Sequence, residues 1–387
     1  MQKSIYISLL LCPFLMAESF DTFLNRAVNA SSYIKASSVQ IEQKKQEIKI
    51  ADRLKNPTLE LELSNFNSNE GNSQSGFRTS VSQPLPLWGV RDDKVNLAKA
   101  NADLQKSNHI KNRADFTYNL SLKYLKYVHS AHMLNLSSEA LELAKTIYDI
   151  SKARYDSGTV PKGVMLQASV DFNILKAEYE SMVLNKQKSY YSILKSAGIN
   201  EEVDIDTSHT FTYTKSEKVS PLLLVLKDAG ESALKSAQVN SNSVEWIDIN
   251  AEMEKESNQD IYRVSLSIPL SIFNTKDEER SIAKLKAKHF ELLKDQEEKA
   301  INIELKKLNL VASSLLKLQE SNKAILKDEE ELLAMFKDGY KIANVNLLEL
   351  QDIKNKLLQT KKRIINIEID IQKNAIEKNY LQGNYND

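Results

Sequence analysis

The chain has 387 residues, 42% of them apolar and 27% charged, with Lys plus Arg equal to Asp plus Glu at 52 each. This neutral balance leaves no basic surplus to attract nucleic acid or an anionic surface, so no nucleic-acid partner is expected. Nine glycines and seven prolines are few for this length, which favours long helices with few turns.

The N-terminus, residues 1–17, reads as a secretory signal. Lys3 supplies the charged start, Ser4 to Ala17 is an apolar run, and Leu15-Met16-Ala17 before Glu18 forms a cleavage site. The single cysteine, Cys12, lies inside this segment, so the exported chain is expected to carry no disulfide and no thiol nucleophile. A lipid-modified reading of Cys12 is disfavoured because Leu11 precedes it, where a small residue is expected. No later stretch of 18 apolar residues occurs, so no membrane-spanning helix is predicted.

A helical segment is predicted from Ser19 to about Lys55, stopped by Asn56-Pro57, because proline disfavours helix in the residue before it. Strict alternation follows. Leu59, Leu61 and Leu63 share one face, with Glu60, Glu62 and Ser64 on the other, the period of a strand with one oily and one wet side. After the polar stretch Asn65 to Ser75, Phe77, Thr79 and Val81 alternate with Arg78, Ser80 and Ser82. In the second half Val244 to Asn250 reads as one strand. Another places Tyr262, Val264, Leu266 and Ile268 opposite Arg263, Ser265 and Ser267. Such strands suit a transmembrane β-barrel, which satisfies every backbone group in lipid, with Arg78 and Arg263 facing the lumen; a soluble amphipathic sheet has the same alternation.

From Val90 to about Lys152, and from Thr275 to about Lys337, there is neither proline nor glycine. Each stretch is predicted as one helix of roughly 63 residues, about 95 Å long at 1.5 Å per residue. In the second, Ile301, Leu305, Leu308, Ala312 and Leu315 step by the four-three spacing of a coiled-coil seam. Each long helix meets a break, Ser157-Gly158-Thr159-Val160-Pro161 or Ala343-Asn344-Val345-Asn346, and returns as another helix to Gly198 or Gly383.

The two halves also repeat at a constant offset of 185 residues. Pro84-Leu85 recurs as Pro269-Leu270, Asp92 as Asp277, Tyr155 as Tyr340 and Gly198 as Gly383. Lengths preserved through strands and long helices point to duplication of a whole unit. The expected organisation is a first repeat at 18–200 and a second at 201–387, each a helix, two strands and a long helical hairpin. Four strands cannot close a barrel of useful width, so several copies must contribute.

Several motifs resemble the outer membrane efflux proteins, the TolC-like channels: Asn56-Pro57-Thr58-Leu59-Glu60-Leu61, Gln83 to Gly89, Arg154-Tyr155-Asp156-Ser157-Gly158 followed by Val164 to Ala168, Ser267-Ile268-Pro269-Leu270, and Tyr340 to Leu350. Gln83 to Gly89 is most similar to the heavy-metal branch. The resemblance spans roughly Ser19 to Gly383. It implies a mainly α protein with a transmembrane β-barrel: a homotrimer whose twelve strands cross the outer membrane of a Gram-negative bacterium and whose helices form a periplasmic coiled-coil barrel. The implied partners are outer-membrane lipid, a periplasmic adaptor and an inner-membrane pump of the RND type. The tips, with Arg154, Tyr155, Ser157, Gly158, Thr159, Val160, Ala343, Asn344 and Val345, would dock the adaptor. Ala343 stands where the family often has glycine, and the chain is short for the family, which implies trimmed loops.

No catalytic constellation is visible: there is no Gly-x-Ser-x-Gly turn and no phosphate-binding glycine loop, so the chain is not read as an enzyme and no cofactor is expected. His129 and His132 share a helical face, but nothing at a completing spacing makes them a metal site. Glu349 and Asp352, three residues apart on one face, fall where TolC-like channels ring the closed periplasmic aperture with acids; Tyr340 lies nearby as the packing that opposes opening. The resemblance implies a passive exit duct of a tripartite efflux system. A type I secretion duct and a soluble periplasmic coiled-coil scaffold or adaptor remain as alternatives.

Overall fold

The computed structural model describes residues 17–67, 73–342 and 344–386. Apart from Ala17, the signal segment lies outside the described residues, as does Ala343. In chain order the elements are α1 (Phe20–Ala30), α2 (Ser32–Ala51), β1 (Thr58–Asn67), β2 (Ser73–Pro86), α3 (Val90–Asp156), α4 (Lys162–Ala197), α5 (Pro221–Val239), β3 (Trp246–Lys255), β4 (Asp260–Ser267), α6 (Asp277–Lys341) and α7 (Leu347–Leu381). The sequence strand, strand, long helix, return helix thus occurs twice. Gly198 and Gly383, 185 residues apart, have φ of 68° and 70°, the left-handed backbone that glycine accepts most readily where a helix ends.

The helix predicted from Ser19 to Lys55 is two helices. Ser19 caps α1, its Oγ accepting the Thr22 amide at 3.4 Å. Ser31 then turns extended, with φ −60° and ψ 112°, and its hydroxyl accepts the Ile34 amide to start α2. Serine competes for backbone hydrogen bonds in this way, which an apolar periodicity does not reveal. α2 stops at Ala51, before the proline acts; the next residue, Asp52, turns its carboxylate to Arg91 at 2.8 Å. α3 runs 67 residues and α6 runs 65, each slightly beyond its predicted end.

The chain forms two compact units, each assembled from both sequence halves. One contains the chain up to Ile34, Arg113–Lys218 and everything from Asn302 onward. Its larger core gathers Phe20, Phe23, Leu120, Tyr124, Ile193, Phe211 and Ile376. Tyr124 is fully buried, but its hydroxyl donates to the Asp206 carbonyl at 2.8 Å, so no polar atom is stranded; burial pushes the phenol well above its ordinary pKa.

The other unit, Lys35–Asn112 with Val219–Ile301, holds the sheet. Its order is β1-β2-β3-β4, antiparallel throughout. Leu59 lies opposite Val81, Val81 opposite Ala251 and Ala251 opposite Val264, so the predicted alternation lines up across all four strands. β3 begins two residues later than predicted and continues to Lys255. Ala251 and the glutamates at 252 and 254 are weak strand formers, and pairing on both sides by β2 and β4 overrides that preference. β4 ends at Ser267, so Ile268 lies just outside it.

The start of β1, the end of β2, the start of β3 and the end of β4 lie at the same end of the sheet. Every helical connection therefore leaves from that end, and the turn between β3 and β4 lies at the other. At the helical end Glu245 is gripped by two ammonium groups, Lys94 near the start of α3 and Lys276 just before α6. Partial burial opposes ionisation of Glu245, but the Lys276 and Lys94 hydrogen bonds outweigh it and hold the carboxyl down at about 2. Lys55 and Lys94 also lie over the Trp246 ring, at 4.4 and 5.2 Å from its centre.

Because the folded pKa of Glu245 lies below the unfolded value, its contribution is complete above about 4.5 and is lost as pH falls towards about 2. Glu245→Gln is expected to cost roughly 2 to 3 kcal/mol near neutral pH. Thermal melting of the detergent-solubilised protein should show a gap between variant and wild type at pH 7 that closes as the pH is lowered through this window.

Candidate functional site

The sheet has two chemically distinct faces. Leu59, Leu61, Leu63, Phe77, Val81, Ile249, Tyr262, Val264 and Leu266 lie on one, all exposed, with Leu63 at 88%. The other carries Arg78 and Arg263 among Glu62, Glu252 and Glu254. Arg78 Nε donates to Glu62 at 2.9 Å and its guanidinium lies 3.9 Å from Glu252. Arg263 bonds both Glu252 and Glu254, the latter at 2.5 Å. Glu60 stands on the same face, opposite Ser80. Acids outnumber arginines on this surface.

At the first tip α3 ends at Asp156 and the chain reverses through Gly158, whose φ is 74°. The Arg154 carbonyl accepts the Thr159 and Val160 amides at 2.8 and 3.3 Å, and the Ser157 hydroxyl at 3.0 Å. Tyr155, Ser157, Gly158 and Thr159 are exposed and Val160 is half-buried. Arg154 instead turns inward: its guanidinium lies 4.7 Å from the centre of the Tyr340 ring and donates to the Tyr340 carbonyl at 2.9 Å. Tyr340 is 1% exposed, hydrogen-bonded through its hydroxyl to Ser151 at 2.8 Å, and packs with Ile147, Ala168, Leu347 and Leu350.

At the second tip Asn344 is exposed and its amide bonds the Gly339 carbonyl at 2.9 Å. Val345 packs against Gly339 so closely that a Cβ there would come within 2.6 Å of the valine methyl. The residues predicted for docking thus divide: Arg154 and Val345 knit the tips together, while Tyr155, Ser157, Gly158, Thr159 and Asn344 face outward.

Glu349 and Asp352 are both exposed near the start of α7. Glu349 completes a capping box: its carboxylate accepts the Asn346 amide at 3.1 Å while its own amide donates to the Asn346 side chain at 2.9 Å. Asp352 pairs with Lys356, one turn on, at 2.7 Å. The two acids therefore share a face, but each already has a partner.

The sequence reading missed Lys354. It is fully buried, with its ammonium 2.5 Å from Asp171 of α4. The signal was a lysine inside the buried seam of Leu350, Ile353, Leu357, Thr360 and Ile364, but its partner is 183 residues away and no local pattern points to it. His129 bonds the Asn366 side chain at 2.9 Å. Among the described residues no three His, Cys, Asp or Glu side chains are grouped as metal ligands would be, and no helix is long and apolar enough to cross a membrane.

Four antiparallel strands, amphipathic across the sheet, joined to two very long helical hairpins define the TolC-like channel fold. The chain superposes on CusC with a TM-score of 0.79 at 13% identity, covering 95% of this chain and 93% of that one. It matches the Campylobacter jejuni outer membrane channel CmeC at 0.75 and 15%, covering 93% and 85%, and the Vibrio cholerae outer membrane protein VceC at 0.77 and 12%, covering 94% and 95%. Residues 23–198 match the family model described as outer membrane efflux protein, so the resemblance read from the motifs holds in sequence over the first half and in fold over both. No curated protein matches the chain.

Removing one partner of a buried ion pair strands the other, which costs about 3 kcal/mol. Lys354→Met is therefore expected to speed amide hydrogen exchange in the surrounding turns of α7 roughly a hundredfold. Adding Asp171→Leu should restore most of the protection, because the stranded carboxylate is then gone. An unchanged exchange rate in the single variant would show that the pair contributes nothing to holding α7.

Proposed function

We propose that the chain is the outer-membrane exit duct of a tripartite efflux system, a homotrimer that conducts substrates passively from a periplasmic adaptor and an inner-membrane RND-type pump to the exterior. The observation that carries this reading is the sheet. Its apolar face is bare, its opposite face is charged, and β1 and β4 each have a partner on one side only. A soluble sheet leaves neither a broad oily face nor two open edges uncovered. Three copies, β4 of one against β1 of the next, make a twelve-stranded barrel that puts the oily face in lipid and Arg78 and Arg263 in the lumen. The helices support the same assembly. α6 buries Ile301 and Leu308 but leaves Leu285, Leu292, Ile303 and Leu310 exposed, a second apolar stripe that a neighbouring copy would cover.

In this assembly the outward residues Tyr155, Ser157, Gly158, Thr159 and Asn344 meet the adaptor, and Ala343 belongs to the same tip. Glu349 and Asp352 from three chains gather at the periplasmic aperture, closed by packing around Tyr340. No bond-making step is involved.

Membrane fractionation tests the assembly. A heat-modifiable trimer in the outer-membrane fraction is expected, and recovery by osmotic shock would instead support a soluble scaffold. Leu266→Lys near the bilayer midplane should cost about 2 to 4 kcal/mol and deplete the inserted trimer; normal insertion of this variant would overturn the barrel assignment.

The aperture predicts selectivity. Purified trimer in a planar bilayer is expected to favour cations and to be blocked by multivalent cations from the periplasmic side. Block should weaken in Asp352→Asn and nearly vanish when Glu349→Gln is added, a pair chosen to spare the cap on α7. Selectivity and block unchanged in the double variant would place the constriction elsewhere.

A further inference from the structure

The chain is neutral in sum, but its charge is not evenly spread. Phe116 to Ser138 of α3, Ser181 to Ala197 of α4 and Ile353 to Ile367 of α7 contain no Asp or Glu, yet they carry two lysines, three lysines, and four lysines with Arg363. Several exposed lysines elsewhere pair with an acid one turn away in their own helix: Lys106 with Asp103, Lys288 with Glu291, Lys307 with Glu304 and Lys341 with Asp338. In α7, Lys354, Lys356 and Lys361 turn to acids beyond the acid-free stretch. Lys362 does not.

Lys362 joins Lys126 of α3 and Lys188 of α4 around a groove of about 400 Å³. No carboxylate lines it, and among the described residues none of these three ammonium groups has a hydrogen-bond or ion-pair partner. None of the three lysines has an acid three or four positions away in its helix either. The floor is settled: Ser130 and Ser189 are buried, with their hydroxyls donating to the Tyr127 and Asn185 carbonyls at 2.7 and 2.9 Å. Met133 and Met182, both half-buried, complete it. Ser192, also in the lining, accepts the Lys123 ammonium at 3.4 Å, which brings a fourth positive charge close by.

We propose that this groove is a binding site for a soluble organic anion carrying phosphate, held by Lys126, Lys188 and Lys362. Three ammonium groups around one space repel one another, and a multivalent anion set among them turns that repulsion into attraction. Phosphate suits the donors, because its oxygens can accept from all three lysines at once. The groove also holds more than a bare ion, since liquid water takes only about 30 Å³ per molecule. What remains is bounded by the two thioethers, which pack against an apolar substituent rather than a second charge. A ligand seated there bridges α7, from the second half of the sequence, to α3 and α4 from the first. All three helical stretches belong to one compact unit of a single chain, so the site stands apart from the barrel reading.

Calorimetric titration of the detergent-solubilised full-length protein with phenyl phosphate at low ionic strength is expected to show one site per chain, weakening as sodium chloride is added. Lys126→Gln, Lys188→Gln and Lys362→Gln should each weaken binding about tenfold. Lys288→Gln and Lys307→Gln, which remove ammonium groups already paired with acids, should leave it unchanged. Orthophosphate should bind more weakly than phenyl phosphate, because it leaves the methionines uncovered. Bound phenyl phosphate should also slow amide exchange in α7 around Lys362, and Lys362→Gln should remove that protection. No measurable binding, equal weakening in the two control variants, or equal affinity for orthophosphate would each overturn the proposal. Displacement of phenyl phosphate by phosphatidylglycerol in mixed micelles would give the groove to a lipid headgroup, and resistance of the three lysines to acetylation in the ligand-free protein would give it to a neighbouring copy; either overturns a soluble ligand. Membrane fractionation decides the barrel separately, so the two readings can fail independently.

Discussion

The sheet in this protein cannot satisfy its own backbone. Of the four antiparallel strands, β1 and β4 each pair with a neighbouring strand on one side only. In water such edges are open to pairing with any strand that approaches; in hydrocarbon each unpaired group costs several kcal/mol. Closure by further copies removes both edges at once, and the same closure turns the oily face outward and collects the charged face around an axis. In the trimer proposed above, symmetry, membrane insertion and an aqueous lumen would be one solution to one hydrogen-bonding problem. The exposed stripe on α6 fits the same arrangement, since helices attached to strands that close a ring are brought side by side with those of the neighbouring chain.

A closed ring of strands is useful as a duct only if its orientation is passed on to the helices. Glu245 addresses this at the helical end of the sheet. A single carboxylate ahead of β3 holds ammonium groups near the starts of α3 and α6, so one residue fixes both long helices to the strand between them. The Trp246 ring beneath Lys55 and Lys94 adds a second contact at the same level. In the other unit the same economy appears in Tyr340, which is held by Ser151 and by Arg154 and packed with Ile147, Ala168, Leu347 and Leu350.

Much of this was legible in the sequence because the elements are long and their periods unmixed. Alternation over Leu59 to Leu63 and Tyr262 to Leu266 announces strands, and stretches of more than sixty residues without glycine or proline announce helices. Where signals compete, the reading fails. Ser31 divides a helix through its own side chain, and β3 extends to Lys255 on the strength of its neighbours. At the candidate site, sequence spacing put Glu349 and Asp352 on one face but did not show that Glu349 caps its helix or that Lys356 attends Asp352. Lys354 and Asp171 were invisible for a different reason: their contact depends on how α4 and α7 lie side by side, and each residue alone is unremarkable in a charged helix.

All helical connections leave the sheet from one end, and the turn between β3 and β4 lies at the other. The turn between β3 and β4 is Glu256-Ser257-Asn258-Gln259, and the segment between β1 and β2 is Ser68-Asn69-Glu70-Gly71-Asn72. In a barrel inserted from the periplasm these few residues would lead the strands across the hydrocarbon. The helices, with their hundreds of polar groups, never make the crossing. Connections of four and five residues leave little chain to reach beyond such a barrel, so a cell bearing it would offer antibodies and phage little to grasp.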